Sequence, residues 1–318
     1  MSVLTRRELL AARGPKNPVD PRRPYAFLVE QEHSAAGTLE DVATIFLTNK
    51  ECPFSCVYCD LWKNTTDRSV QPGDIPAQID YALSRLPPAT TIKLYNSGNF
   101  FDPQAILPQD HDAIISRVRH FDRVIVENHP HLVDEGCVRF RDRLGTEVEI
   151  AMGLETVHPD VLPRLNKQMT VDDFCRAADF WRGSGIHVRA FVLLMPPFMP
   201  AEEAVDWAVR SVATAMEAGA GCSAIIPTRG GNGLMEQFAA QGQFTPPTLA
   251  MLEDSFAAVL ALPEFATHST RVFVDLWDVE KLYTCARCGP PRKQRLTQMN
   301  HQQQLLPAIS CACRTSDL

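Results

Sequence analysis

Residues 42–60 read VATIFLTNKECPFSCVYCD. An apolar run of strand length, 42–48, leads into three cysteines, Cys52, Cys56 and Cys59, spaced by three residues and then two. Three thiolates are soft ligands that suit Zn, Cu(I) or an iron–sulfur cluster. A closed structural zinc site takes four protein ligands, and His33 would have to travel to complete one. A four-iron cluster on three cysteines instead leaves one iron open to a small molecule. Pro53 and Ser55 suit the tight turn that such spacing needs, and Tyr58 between the last two cysteines can pack on the cluster or on a neighbouring ring.

Outward from this stretch the chain alternates strand and helix about six times. Strands are predicted at TIKLYNSG, RVIVEN, VEIAMGLE, IHVRAFVLLM and CSAIIPT, with RVFVDLW after them. Helices fall between, among them TVDDFCRAADFWRGSG, with Thr170 as N-cap. The strands are continuously apolar, as in a parallel sheet covered on both faces. A doubly wound sheet fits this rhythm almost as well as a barrel, complete or not, and either places its chemistry at the carboxyl ends of the strands. There the sequence puts the cysteines, YNSGN (95–99), ENHPH (127–131), GLET (153–156), MPPF (195–198) and PTRGGNG (227–233). Six such segments converge on one rim.

The chain has 318 residues, 45% hydrophobic and 22% charged, ordinary for a soluble globular protein with one large core or two modest ones. The first apolar run is too short for a signal-peptide core, and no segment approaches a membrane span. A soluble, cytoplasmic protein with no membrane partner is expected. The net charge of −7 excludes a chain coated in basic nucleic-acid-binding surface. From Lys281 onward, however, six Lys or Arg face a single acid, Asp317, giving about +5 against about −12 for the rest.

The ten cysteines also divide. Cys137, Cys175 and Cys222 lie in apolar or amphipathic surroundings and read as small buried hydrophobes. Cys285, Cys288, Cys311 and Cys313 form a CxxC and a CxC pair separated by 22 residues. Two chelating pairs can fold together on one tetrahedral ion and staple a tail too poor in apolar residues to build its own core. Zinc, an auxiliary iron–sulfur cluster and four unligated thiols all remain open. Between the pairs, Arg292, Lys293 and Arg295 either meet phosphate or offset thiolate charge. The organisation expected is a lead-in over 1–40, extended or partly helical, a main domain over 41–270, and a metal-binding extension over 271–318.

CPFSCVYC resembles the CxxxCxΦC signature of the radical S-adenosylmethionine (SAM) superfamily, where Φ is aromatic. The resemblance implies an incomplete parallel (β/α)6 barrel, an α/β fold, with the cysteine-rich extension appended. It implies one [4Fe–4S] cluster on Cys52, Cys56 and Cys59, with SAM on the open iron. An electron from a cellular one-electron reductant would then cleave SAM to methionine and a 5′-deoxyadenosyl radical, which abstracts hydrogen. Ser97, Gly98 and Asn99 stand where family members carry a GGE-like segment at the methionine amino group, and a strand-ending turn is the alternative. Glu127 and Glu155, acids at strand mouths and costly to bury without a donor, either accept from the ribose or the ammonium or hold a loop by its amides. Tyr58 joins this cofactor set, as does Arg189, which would clamp a carboxylate or form an interior salt bridge. GLET followed by LNKQMT is similar to segments of the Elongator-subunit-3-like branch.

Across about 40–265 the chain resembles the radical enzymes of archaeosine biosynthesis. That implies a transfer-RNA nucleobase as substrate, with the basic tail helping to position it. PTRGGNG departs from that family's substrate loop, so Arg229, Gly230, Gly231 and Asn232 either touch adenine or substrate or only shape the loop. A small metabolite or peptide substrate, and a non-catalytic zinc-containing nucleic-acid-binding module, are the competing readings.

Overall fold

The computed structural model describes residues 4–267 and 270–314; Asp317, counted in the tail's charge, lies outside them. A short helix, α1 (Arg6–Ala11), precedes one eight-stranded sheet whose strands follow chain order. These are β1 (Ala26–His33), β2 (Leu39–Phe46), β3 (Thr91–Tyr95), β4 (Arg123–Glu127), β5 (Glu147–Glu155), β6 (His187–Leu194), β7 (Cys222–Pro227) and β8 (Arg271–Val274). β1 pairs antiparallel with β2, and every later pair is parallel. The connections carry α2 (Asp74–Leu83), α3 (His111–Val118), α4 (Glu135–Leu144), α5 (Val171–Gly183) and α6 (Ala204–Glu217). After β7 come α7 (Leu234–Ala240), α8 (Leu249–Leu260) and α9 (Pro263–Thr267), and α10 (Gly289–Gln302) follows β8. The sheet is the incomplete parallel barrel that the resemblance implies, one of the folds the strand rhythm left open. Among the described residues, no helix is long and apolar enough to cross a membrane.

Local chemistry accounts for the helix boundaries. Thr170 and Asp173 form a capping box at the start of α5. Asp134 caps α4, and Gly145, at φ 73°, closes it in the left-handed conformation that glycine tolerates. The strands are two-faced despite their apolar look. Ala43, Ile45 and Leu47, Ile92 and Leu94, Val124 and Val126, and Val148, Ile150 and Met152 point to the helices and form one core.

The alternate positions near the amino ends of the strands carry charge into the lumen. Lys93 bonds Glu30 at 2.8 Å and also Glu32. Arg189 bonds Glu32 at 2.9 Å and Glu149 at 2.5 Å, and Arg271 approaches Glu149 at 3.4 Å. Burial opposes ionisation of Glu32 and Glu149, but the nearby cations outweigh it and hold both carboxyls below the usual range. The base of the barrel is therefore a charge-paired plug. Arg189, expected among the cofactor contacts, belongs to this plug at the third position of β6, at the end of the strand opposite the cysteines.

Both ends of the chain join the sheet. The lead-in, read as extended or partly helical, supplies the antiparallel strand β1. The tail does not stand apart either, because α10 packs against β1, β8 and α8. Its Arg292 meets Glu253 of α8 at 2.9 and 2.6 Å, and Arg295 meets it at 3.3 Å, all three side chains being buried. Arg295 also donates to the carbonyls of Leu306 and Pro307. Arg292 and Arg295 are thus structural ion-pair partners, turned away from any phosphate.

Candidate active site

The loop from β2 to α2 carries the three thiols, and neighbouring rim loops hold its backbone. The Val57 N–H donates to the Leu165 carbonyl at 3.1 Å, and Asn166 Nδ2 donates to the Ser55 carbonyl at 2.8 Å. From the β7 loop, Asn232 Nδ2 donates to the carbonyls of Val57 and Cys59 at 2.8 and 3.1 Å. Trp62 Nε1 donates to the same Cys59 carbonyl at 3.1 Å. Phe54 stacks on His129 with ring centroids 3.8 Å apart and planes 14° from parallel. The His129 N–H donates to Asn99 Oδ1 at 2.6 Å. Its Nδ1 accepts from the His131 N–H, which leaves Nε2 to donate to the Lys167 carbonyl at 2.9 Å. Burial keeps this imidazole neutral, lowering its pKa to about 3.

The β3 loop closes on the first cysteine. Asn99 Nδ2 lies 3.4 Å from Cys52 Sγ, and a Cβ on Gly98 would sit 3.0 Å from Cys52 Cβ. Glu127 lies beneath this loop, its Oε2 accepting from the Asn96 N–H at 2.8 Å, with the Ser97 and Gly98 amides also bonding its carboxylate. Ser97 takes a left-handed φ of 54°, and its hydroxyl meets Tyr25 Oη at 3.1 Å. Burial dominates over these amides and raises the Glu127 carboxyl to about 7. Tyr58 bonds Glu155, and Glu155 Oε1 pairs with Lys167 Nζ at 2.6 Å.

The structure thus gathers Cys52, Cys56, Cys59, Tyr58, Ser97, Gly98, Asn99, Glu127 and Glu155 at one rim and leaves Arg189 at the opposite end. Burial pushes the Cys52 thiol up to about 12 and raises Cys56 and Cys59 too. Burial opposes their ionisation, so it is a bound cationic group that would hold these three soft donors, fixed on one loop, as thiolates. This donor set fits an iron–sulfur cluster. His33 is not a fourth ligand, since its Nδ1 contacts the His301 carbonyl at 2.8 Å. In PTRGGNG, Arg229 pairs with Asp275 at 2.5 Å, Gly231 bonds Glu236, and Asn232 both holds the thiol loop and accepts from the first amides of α7. Sequence reading passed over His129, Lys167 and Tyr25. For the first two the signal was their place in ENHPH and LNKQMT; Tyr25 had none.

At the far end of the chain, Cys285, Cys288, Cys311 and Cys313 converge, with all ligand atoms within 4.8 Å of one another. They form a group able to hold a metal ion. Backbone amides of Cys288 and Arg287 lower the Cys285 thiol to about 7, which favours its ligating form.

Comparison with known proteins agrees with this geometry. An uncharacterised protein of Methanocaldococcus jannaschii is 22% identical over 318 residues, covering 93% of this chain and 86% of that protein. The archaeosine synthase subunit beta of Methanosarcina acetivorans is 29% identical over 227 residues, 68% of this chain and 65% of that subunit. Among solved structures, Methanocaldococcus infernus Elp3 lacking its N-terminus shares the fold, with a TM-score of 0.50 at 14% identity over 72% of this chain and 59% of that one. Residues 47–208, half of the sequence and including the thiol loop, match the model of the Radical SAM superfamily. The chain belongs to that superfamily and is a radical SAM enzyme.

Proposed function

We propose that this enzyme modifies a nucleobase of transfer RNA, with a [4Fe–4S] cluster on Cys52, Cys56 and Cys59 and SAM bound beside it. The observation that carries the site is the enclosed three-thiol loop with the β3 loop folded against Cys52. The likeness to an archaeosine synthase subunit supports the substrate class. When bound, the cluster supplies the electron that cleaves SAM, and a cellular one-electron reductant must replenish it. The chain's own residues do the positioning. Glu127 fixes the 96–98 amides from below and so holds Ser97, Gly98 and Asn99 against Cys52, where the carbonyls of this loop would receive the methionine end of SAM. Tyr58, bonded to Glu155, and Glu155, paired with Lys167, stand at the same rim. Phe54, stacked on His129, covers the loop and helps exclude water, which an organic radical requires.

The four tail thiols hold one zinc ion in this reading. Tetrahedral zinc with ~2.3 Å bonds places its sulfurs roughly 3.8 Å apart. Here all lie within 4.8 Å, with Cys288 and Cys313 Sγ 3.5 Å apart, too close to enclose a four-iron body.

The test is anaerobic incubation of reconstituted enzyme with SAM, reductant and either RNA or a small-molecule fraction of the same cells. RNA should gain a modified base while 5′-deoxyadenosine accumulates. Replacing Cys52, Cys56 and Cys59 by Ala should abolish that product yet retain about one zinc per chain, as a closed four-ligand site requires. Turnover on a metabolite or peptide with RNA unaltered would overturn the substrate reading. Undiminished 5′-deoxyadenosine from the triple variant would overturn the cluster ligands.

A further inference from the structure

One cation is buried in the shell of the thiol loop, and much of the surrounding backbone is arranged to put it there. Lys167 lies between Asn166 and Gln168, both left-handed at φ 54° and 60°. Asn tolerates that conformation, whereas Gln adopts it at a cost. The carbonyl of Lys167 itself is held by His129, and the two residues before it are bonded to Val57 and Ser55. The segment is therefore locked against the loop that bears the cysteines. On the side-chain end, Nζ meets Glu155 with the two side chains only 11% and 6% exposed. Glu155 is likewise left-handed, at φ 67°, where the register of β5 against β6 shifts. Gly153 leaves the room they occupy, because a Cβ there would overlap both Glu155 Oε1 and Lys167 Nζ.

A buried ammonium needs an anion, and Glu155 supplies one. That pairing alone does not account for its placement beside the cysteines. Burial works against the Lys167 charge, while Glu155 and then the Cys56 thiolate favour it, with Cys52 contributing as well. The same field acts in reverse on the thiols, easing ionisation of Cys56 and Cys52. In an enclosed site of low dielectric, such charges act strongly on any neighbour that changes its own charge.

We infer that Lys167 and Glu155 form an opposed charge pair that sets the reduction potential of the iron–sulfur cluster, Lys167 stabilising the reduced state and Glu155 restraining it. Cluster potentials respond to net charge, hydrogen bonding to sulfur and solvent exposure, and the lever here is net charge. Reduction adds one electron to the cluster, and the Lys167 ammonium offsets it without itself gaining or losing a proton. Both are positioning residues in this role. The inference rests on the cluster ligands assigned under the proposed function.

The test is an anaerobic redox titration of the reconstituted full chain without SAM, followed by electron paramagnetic resonance, with iron and sulfide measured on every sample. Lys167→Met should move the midpoint potential to more negative values, and Glu155→Gln should move it to more positive ones. Lys167→Arg should stay close to the parent protein. Opposite signs separate this role from mere loosening of the loop, which would shift both variants the same way through exposure. If Lys167→Met takes up no cluster, the rise in Glu155→Gln together with retention in Lys167→Arg still carries the test. Shifts of one sign, or none, with iron and sulfide at parental levels overturn this inference alone. A parent protein that takes up no cluster overturns the ligand assignment and this inference together.

Discussion

Replacing Glu253 by Ala should show whether the C-terminal helix is part of the core or an appendage. Glu253, Arg292 and Arg295 are 4%, 5% and 7% exposed at the side chain, with two short bonds to Arg292 and a longer one to Arg295. Removing the carboxylate takes the counter-charge from two buried guanidinium groups, and breaking a buried pair from one side costs about 3–5 kcal/mol. With an unfolding entropy of about 2.1 cal/mol/K per residue, a chain of 318 residues loses roughly 1.5 °C of melting temperature per kcal/mol. The expected drop is therefore about 5–8 °C by calorimetry or circular dichroism. Replacing all three residues together by Leu or Met of similar volume removes the charges in concert and should cost far less, since apolar substitution of such clusters is often near neutral. The Leu306 and Pro307 carbonyls that Arg295 leaves behind are near the surface and can turn to water. A Glu253→Ala loss below about 1 kcal/mol, or one no larger than that of the triple variant, would falsify the buried-triad account. The result also bears on RNA binding: an Arg292 or Arg295 substitution that weakens it would be reporting a damaged core.

Two other perturbations address the rim. Glu127 has its carboxyl raised to about 7 by burial against an unfolded value of 4.5, so the native state binds its proton more tightly. Stability from this group is full below pH 4.5 and is lost as pH rises through 7, by about 3 kcal/mol. Glu127→Gln, permanently neutral, should match the parent in urea melts of metal-free protein at pH 4.5 and exceed it at pH 8; parallel profiles would refute the assignment. Gly153→Ala should fold with a loss of about 1–3 kcal/mol, because the nearest atoms the added methyl meets are the ends of two buried side chains, not backbone. It should nonetheless displace the Lys167–Glu155 pair, read as lowered iron retention on gel filtration, and unchanged retention would count against the tight fit at Gly153.

The parts of this molecule that were legible in the sequence are those written in local pattern. VATIFLT followed by CPFSCVYC gave a strand and a thiol loop at its end, and the capping box at Thr170 marked the start of α5. What escaped was held by polar contacts between distant segments. β1 buries little, most of its positions being half-exposed or exposed, so AFLVEQEH carries no strong periodicity. Of α10, only Leu296 and Met299 are apolar and buried within its span, and its hold comes from Glu253 and from amide side chains. Lys93, Arg123, Glu149 and Arg271 belong to the same signal as Arg189, for which an interior salt bridge was legible. A charge recurring near the start of successive strands is a two-residue alternation, and it marks a filled lumen. For Arg189 the interior salt bridge is the reading that the structure shows, and its place near the start of β6, away from the carboxyl rim, is the sign of it.

The position of α10 makes the tail metal a matter of barrel geometry. β8 is the last strand of the sheet, and among the described residues no other strand pairs with its outer edge. Gln303 bonds both the N–H and the carbonyl of Val272, and Asn300 does the same for Val274, at 2.8–2.9 Å. Two amide side chains thereby occupy the places that a ninth strand would fill. On its other side α10 reaches β1, where the His301 carbonyl meets His33, and Arg271 of β8 reaches the His33 carbonyl at 3.4 Å. The helix is a wedge between the two ends of an open sheet, and Cys288 is its N-cap. Chelating the tail metal should release the wedge from its amino end, and hydrogen exchange should report that in order. Amides of Val272 and Val274 should lose protection first and residues 26–33 next, while β3–β5 stay protected. Tyr25, immediately before β1, carries the hydroxyl that meets Ser97, so loosening β1 also removes support from the loop facing Cys52. Uniform loss of protection across the sheet, or none at β8, would show that the metal staples only its own loop.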